Sequence, residues 1–464
     1  MVGHHKTAVS RVQTLGLALF LSLGLWPGAQ AVDAELLAEE LEALTERAQA
    51  LEQSLSEATV AADQRELREP HHDDATRALA RLPADGSGNG SDNGSDNGSD
   101  NGAMTGTERA AELDALAEEP PVRIGGALRF NLVHRSFSDA SDTKFGETGF
   151  DLFRFNVEGQ IDNLLISAEY RHYSFMQTIR YGWIGYEFGD GSQLQFGIHQ
   201  VPFGLLPFAA HNAWFGVPYY VGLADNYDMG IKLVRGGDNW QGHFAFYKNE
   251  ELNDATDLDR YGFDLVRVDN QQNEEINRVN ARFAWDLGLG TGCEHEIGAS
   301  MQVAQLYNAT TNRRGDHWAL ASHLDTRCGR WALQLQGVHY SYNPENPDGV
   351  SDETVRLGAF GTSYDIDAKA DIMVANVAYN LDPPWERIDQ LVCYNDYSRL
   401  IKSLDDARDS QINTLGCAIG VGPLFTYVDL ILANNMPFFA NGSLAGGGEN
   451  RWRTRFNVNI GYYW

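Results

Sequence analysis

Charged residues recur at every second position in several stretches of the chain and alternate there with apolar residues. At a period of two residues, the charged set and the apolar set lie on opposite faces of a β-strand. A wall that carries both signs could order water and screen solutes by their dipole and size. Alternatively, the charges only pair across neighbouring strands. Nine residues share the charged face and are the candidates for such a wall: Arg129, Arg154, Glu158, Glu169, Arg171, Arg282, Asp429, Arg453 and Arg455.

The four cysteines fall into two pairs, Cys293 with Cys328 and Cys393 with Cys417. The midpoint of each pair lies in a polar link between two alternating runs. Residues equidistant from the tip of an antiparallel hairpin face each other, within the reach of a disulfide. We therefore predict two cross-strand disulfides, provided that the compartment is oxidising. The alternative is four unrelated cysteines, each a small buried hydrophobe.

The elements that would position these residues are short strands. From Arg123 onward, alternating runs are separated by turn residues such as "GDGS", "GGDN" and "VGP". In the last run, Phe456, Ile460 and Trp464 share one face and Arg455 lies on the other. An apolar face on an ordinary edge strand invites aggregation unless something covers it. Lipid is one such cover.

The lengths of the links between the strands indicate how the strands are arranged. Short turns alternate with long polar links such as 136–149 and 251–276, which is typical of bacterial outer-membrane barrels. The alternating runs number one too many for the even count that such barrels require. The extra run, "TVRLGAFGTSYDID", fits if 344–369 is one long external loop. We therefore predict an all-β fold in 123–464, a 16-stranded antiparallel transmembrane β-barrel.

The amino-terminal quarter divides into three segments. Residues 1–31 have the basic start, apolar stretch and Ala-Gln-Ala end of a secretory signal peptide. Residues 32–69 carry a heptad spacing of Leu and Ala that predicts a short periplasmic coiled coil, or otherwise a lone amphipathic helix. Residues 70–122 include "GNGSDNGSDNGSDNG" and are predicted to form a flexible acidic linker. Loose calcium binding by this repeat is the weaker alternative, because a bidentate Glu is absent.

The composition of the 464 residues excludes some functions. A formal net charge of −29 argues against nucleic acid as a partner. The predicted barrel contains no GxSxG, HExxH or CxxC motif, so we expect neither an enzyme nor a bound cofactor or metal. Within 123–464 the acids outnumber the bases, which predicts a weak cation preference or none.

Three features carry a family resemblance: "FRFNVEGQID" early in the barrel, "LQFGIHQVPFG" in the fifth strand, and the aromatic end. On these, Ile124–Trp464 resembles the trimeric porins of Gram-negative outer membranes, and more particularly the family of the phosphate-selective porins O and P. The resemblance implies a homotrimer embedded in outer-membrane lipid and lipopolysaccharide. It also implies that the outer-membrane assembly machinery reads the terminal aromatic residues, Tyr462 and Trp464.

The same resemblance implies a constriction loop after the fifth strand, where 205–227 is aromatic and nearly free of charge. Its candidate residues are Phe208, His211, Trp214, Phe215, Tyr219 and Tyr220. The expected function is passive diffusion of small hydrophilic solutes or ions through a water-filled channel. A selective channel for sugars or for anions, including phosphate, is the alternative. A surface or periplasmic tether is a further one.

Overall fold

The computed structural model describes residues 121–252, 254–288 and 292–464. The predicted signal peptide, the coiled coil and nearly all of the linker lie outside the described residues. Neither of the two helices in this part, α1 (Asp139–Thr143) and α2 (Val217–Tyr220), is long and apolar enough to cross a membrane.

Sixteen strands close into one antiparallel barrel, as predicted, and each pairs with its neighbours in chain order. The last strand pairs with the first and completes the ring. The barrel strands are β1 (Val122–Arg135), β2 (Glu147–Ile161), β3 (Leu164–Tyr173), β4 (Gln177–Glu187), β5 (Gln193–Gln200), β6 (Tyr227–Gly237), β7 (Trp240–Asn249), β9 (Asn273–Asp286), β10 (Cys293–Asn308), β11 (Arg314–Cys328), β12 (Trp331–Asn343), β15 (Lys369–Asn380), β16 (Gln390–Lys402), β17 (Ser410–Val421), β18 (Leu424–Asn434) and β19 (Trp452–Tyr463).

Alternation along each strand separates an apolar exterior from a polar lumen. In β2, Phe153 and Phe155 are about 40% exposed on the outside, whereas Arg154 is buried on the lumen side. The closing strand repeats this pattern, with Ile460 outside and Arg455 inside. A belt of exposed apolar side chains suits contact with lipid, and the closed ring leaves no strand edge in the barrel unpaired.

The seam between β1 and β19 is built around the terminal aromatic residue. The Gly126 N–H donates to the Trp464 carbonyl at 3.0 Å, and the Trp464 N–H donates to the Gly126 carbonyl at 3.2 Å. A Cβ on Gly126 would lie 2.3 Å from the Trp464 ring, so only glycine leaves room for the indole here. Tyr462 and Trp464 both lie on the exposed face of the strand.

Three short strands lie outside the barrel and form a second sheet: β8 (Asp264–Leu265), β13 (Thr354–Ala359) and β14 (Thr362–Asp367). The hairpin of β13 and β14 is the run that the even strand count assigned to the 344–369 loop, as predicted. The pairing of this hairpin with β8, from the loop after β7, was not predicted. Leu265 lies opposite Leu357 in this sheet.

Four loops pack together at the long-loop end of the barrel, and we call them the loop plug: 201–226, 250–272, 344–368 and 435–451. Ring centroids of Tyr219 and Phe263 lie 4.3 Å apart, and those of Phe263 and Phe360 lie 5.4 Å apart. Ile366 bridges to Leu444 of the last loop. The plug therefore has an apolar core of its own, drawn from all four loops.

The plug packs against the barrel wall on every side. Each of the sixteen barrel strands carries at least one lumen-facing side chain that is at most 1% exposed, such as Arg129, Asp228, Tyr340 and Arg455. Strand number alone predicts a wide aqueous interior. The folded loops fill much of that interior, and this was not expected.

Both cysteine pairs are joined across neighbouring strands. Cys293 lies directly opposite Cys328, with their Cα atoms 4.3 Å apart and their sulfurs bonded. Cys393 lies opposite Cys417, with their Cα atoms 4.0 Å apart and their sulfurs bonded. Val392 and Ala418 face the lumen beside the second pair, so this disulfide lies on the outer face of the barrel.

Candidate constriction and lumen site

The 201–226 segment, called the constriction loop below, crosses the lumen from β5 and returns to β6. Near its start, the Gly204 N–H donates to Ser300 Oγ at 3.0 Å, and the Leu205 N–H donates to Gln336 Oε1 at 2.7 Å. These acceptors belong to β10 and β12, on a different part of the wall from β5 and β6. The loop is therefore anchored inside the barrel by side chains of the wall.

Asp396 of β16 is the strongest of these anchors. Its carboxylate accepts hydrogen bonds from the His211 N–H, the Asn212 N–H and Asn212 Nδ2, at 2.6, 3.0 and 2.7 Å. His211 Nδ1 lies 2.7 Å from its other oxygen. Two residues along the strand, Ser398 Oγ accepts from the Val217 N–H at 2.8 Å. A buried carboxylate with several donors holds the loop against this side of the barrel.

The six constriction-loop candidates are all buried, none more than 3% exposed. Their rings pack on one another, with the centroids of Phe208 and Phe215 4.2 Å apart and those of Phe215 and Tyr219 4.8 Å apart. The Arg455 guanidinium lies over the Trp214 ring at 3.8 Å. Burial raises the pKa of the Tyr220 phenol, which stays neutral. These side chains fill the lumen, and none of them lines the three cavities described below.

Most of the nine wall candidates are buried in ion pairs. Arg129 lies 2.7 Å from Asp151, and Arg171 lies 2.6 Å from Glu169. Glu169 is also 3.7 Å from Arg154. At the long-loop end, Arg453 pairs with Glu449. The Tyr394 hydroxyl donates to Asp429 at 2.6 Å. Arg129 and Arg154 pair with acids on the next strand, which is the cross-strand pairing that was the alternative to an exposed charged wall. Arg171 pairs along its own strand, and Arg453 pairs with a loop residue.

Among the wall candidates, Glu158 and Arg282 line a cavity within the described part of the chain. A central cavity of about 400 Å³ lies beneath Leu206 and Pro207 of the constriction loop. It shares Glu158, Ser167 and Trp183 with a second cavity of about 620 Å³, which extends to Pro121 and Asp162 at the short-turn end of the barrel. It shares Leu206 and Glu296 with a third, of about 390 Å³, beside the β9–β10 turn. We call these contiguous spaces the vestibule.

Two residues of this site were missed in the sequence, Lys232 and Asp396. Lys232 lines the central cavity, and its ammonium donates to the Gln200 carbonyl at 3.1 Å. In "DMGIKLV" it has the opposite parity to Met229, Ile231 and Leu233, so alternation alone could have placed it in the lumen. Alternation does not place Asp396 in this way, because Asn395, Tyr397 and Arg399 on the opposite face of its strand are polar as well. No feature of the neighbouring sequence indicates that Asp396 faces the constriction loop.

No family model matches the chain, and no curated protein matches it. Among solved structures, the chain is similar to the anion-selective porin from Comamonas acidovorans, at 13% identity and a TM-score of 0.49, covering 74% of this chain and 99% of that one. It is also similar to OprB of Pseudomonas putida, at 9% identity and 0.49, covering 77% and 97%. A third is the trimer form of OmpT, an outer membrane protein of Vibrio cholerae, at 12% identity and 0.47, covering 74% and 99%.

Proposed function

We propose that the chain is an outer-membrane porin, a channel through which small hydrophilic solutes diffuse passively, with its amino-terminal segment in the periplasm. The observation that carries this proposal is a closed barrel with an apolar exterior and a polar vestibule that reaches from the short-turn end to the constriction loop. A barrel of this kind has a lipid-facing belt and a hydrated interior. Such an interior favours transport of solutes over a tethering role.

The loop plug sets the condition for transport. Because Leu206 and Pro207 line the central cavity and residues of the plug loops share an apolar core, we expect a solute to pass when the plug loops part. The plug lacks a covalent link between its loops in the described residues, and its small sheet includes a strand of only two residues. We therefore expect a gated channel, with brief openings, in place of a permanently wide pore.

A selective channel for anions is the second candidate, and Lys232 favours it. Lys232 lies beside the central cavity together with Arg282, Glu158 and Glu296, and it offers an anion a point of contact there. Membership of the phosphate-selective O and P family is not part of the proposal. The sequence lacks the row of Lys and Arg that a phosphate ladder needs.

We also propose that the protein is a homotrimer, as its resemblance to the trimeric porins implies. Near the middle of β16 and β17, Asn395 and Asn413 point outward and exchange hydrogen bonds at 3.0 and 3.2 Å. Beside them, the Tyr397 hydroxyl donates to Gln411 at 2.9 Å. Polar side chains on the lipid face are costly at this depth. A neighbouring subunit that covers this patch would relieve the cost, and mass photometry of the detergent-solubilised protein tests the oligomer.

Single-channel recording in a planar bilayer tests the channel. We expect stepwise conductance from the purified protein, and its absence would contradict the proposal. Leu265→Cys with Leu357→Cys places two thiols at directly opposed positions in the plug sheet. Oxidation of this variant should lower the open probability at least threefold, and a reductant should restore it. The unmodified protein, treated with the same oxidant and reductant, is the control.

A further inference from the structure

The side-chain nitrogen of Lys232 is buried without an acidic partner in the described residues. Lys232 is 8% exposed. In the described residues, its ammonium makes one hydrogen bond, which it donates to the Gln200 carbonyl. No ion pair forms at Lys232 in this part of the chain. Burying an ammonium group away from water costs free energy unless a charge or several acceptors compensate. A bound anion would supply that compensation.

Arg282 offers a second donor on the same cavity. Its Nη2 pairs with Glu296 at 2.6 Å and its Nε donates to the Gly204 carbonyl at 2.8 Å. Its Nη1 is buried and has no hydrogen-bond partner in the described residues. Because Glu296 is also 3.0 Å from His323, its charge is shared between two bases. The free edge of the guanidinium therefore remains available to an acceptor.

The rest of the lining favours hydroxyl groups and a single negative charge. Gln195 Oε1 is buried without a donor, and Ser167 and Trp183 lie on the same cavity. Glu158 and Glu296 also line it and would repel a dianion. The volume of about 400 Å³ lies within the range of small-molecule sites, ~300–1,000 Å³.

We propose that the central cavity is a binding site for a polyhydroxylated monocarboxylate, such as a sugar acid. The carboxylate contacts Lys232 and the free edge of Arg282, and a hydroxyl donates to Gln195 Oε1. This inference rests on the proposed function, because it places the binding site on the route that a solute takes through the channel. It adds a class of solute, recognised through one lysine that no carboxylate neutralises.

Equilibrium dialysis of the full-length protein in detergent tests the site with sodium gluconate as the probe. We expect gluconate to bind at least tenfold more tightly than glucose, which lacks the charge, or butyrate, which lacks the hydroxyls. Lys232→Met should weaken gluconate binding at least tenfold. Lys248→Met, at the exposed long-loop end of β7, should leave it unchanged. Equal binding of gluconate by the Lys232→Met protein, or of glucose and gluconate by the unmodified protein, would overturn the proposal.

A second variant guards against a folding defect. Gln195→Leu keeps both cations and should bring gluconate binding down to the level of butyrate, without changing butyrate binding. Bilayer recordings then separate the two proposals. If gluconate binding depends on Lys232 but the protein shows no conductance, the proposed binding site stands and the proposed channel function is contradicted. Conductance from a protein that neither binds gluconate nor is blocked by it retains the channel and contradicts the site.

Discussion

Asp396 is the residue on which the position of the constriction loop depends most. Replacing it with alanine removes the acceptor of the His211 and Asn212 donors and leaves those groups buried and unpaired. The expected cost is about 2–4 kcal/mol of local stability. We predict that Asp396→Ala speeds amide hydrogen exchange across 209–217 and makes the channel current noisier.

The matched control for this prediction is Asp371→Ala. Asp371 is an exposed carboxylate of β15 that pairs with His339 on the outer side. Its loss should change neither the exchange of the loop nor the current noise. Identical behaviour of the Asp396 and Asp371 variants would show that the loop is held by its aromatic packing alone.

Parity along the strands could place residues on a face, but it could not pair them. Alternation, which is a local property, assigns Arg129, Arg171 and Arg455 to the lumen side, and all three are buried. Their partners depend on the wall register and on where the loops fold. Arg455, for example, meets Trp214 of a loop that is remote in sequence. The burial of these charges could not be predicted for that reason.

At the scale of elements, the 250–272 loop contains two buried acids that should make the plug sensitive to pH. Burial raises the pKa of both Glu250 and Asp264 above the usual range of carboxyl groups, and the negative charge of Asp264 adds to the effect on Glu250. A folded-state pKa above the unfolded value means that the packed loop binds protons more tightly. The stabilisation is therefore full at low pH and is lost as the pH rises through the raised pKa values.

We predict that exchange protection of 250–272, corrected for the intrinsic effect of pH, falls as the pH rises, and that the open probability increases with it. Each unit of raised pKa contributes about 1.4 kcal/mol to this dependence. Glu250→Gln with Asp264→Asn should flatten both curves. Asp254→Asn is the control from the same loop, because hydrogen bonds from Thr256 lower the pKa of that exposed carboxyl. Exchange protection of 250–272 that increases with pH would contradict this prediction.

The second sheet, formed by β8, β13 and β14, could be predicted from the sequence only in part. The requirement for an even number of strands located the β13–β14 hairpin inside a loop, because closure of the ring is a global rule with a simple count. The pairing of that hairpin with β8 follows no such rule. A strand of two residues has no periodicity to detect, and it forms only where the tertiary contacts place it.

At the scale of the whole molecule, the two disulfides should stabilise the barrel without affecting transport. They close chain segments of 35 and 24 residues, which is worth about 3–4 kcal/mol each in the chain-entropy account. Peptide mapping of the unreduced protein should recover Cys293 with Cys328 and Cys393 with Cys417. Replacing all four with serine should lower the denaturation midpoint and leave the single-channel conductance unchanged. Four free thiols, or a link from Cys328 to Cys393, would contradict the strand register.

The pairing of β1 with β19 also affects the order in which the barrel forms. Ala127 lies opposite Tyr463, so the contact that seals the ring joins the two ends of the barrel sequence. Every other pairing of barrel strands links neighbours along the chain and can form earlier, whereas this one carries the largest cost of loop closure. Until it forms, both strands are open edges that can recruit another chain. The contact of Gly126 with Trp464 forms part of this closing seam, so the chain stays vulnerable to misassembly until β1 and β19 have paired.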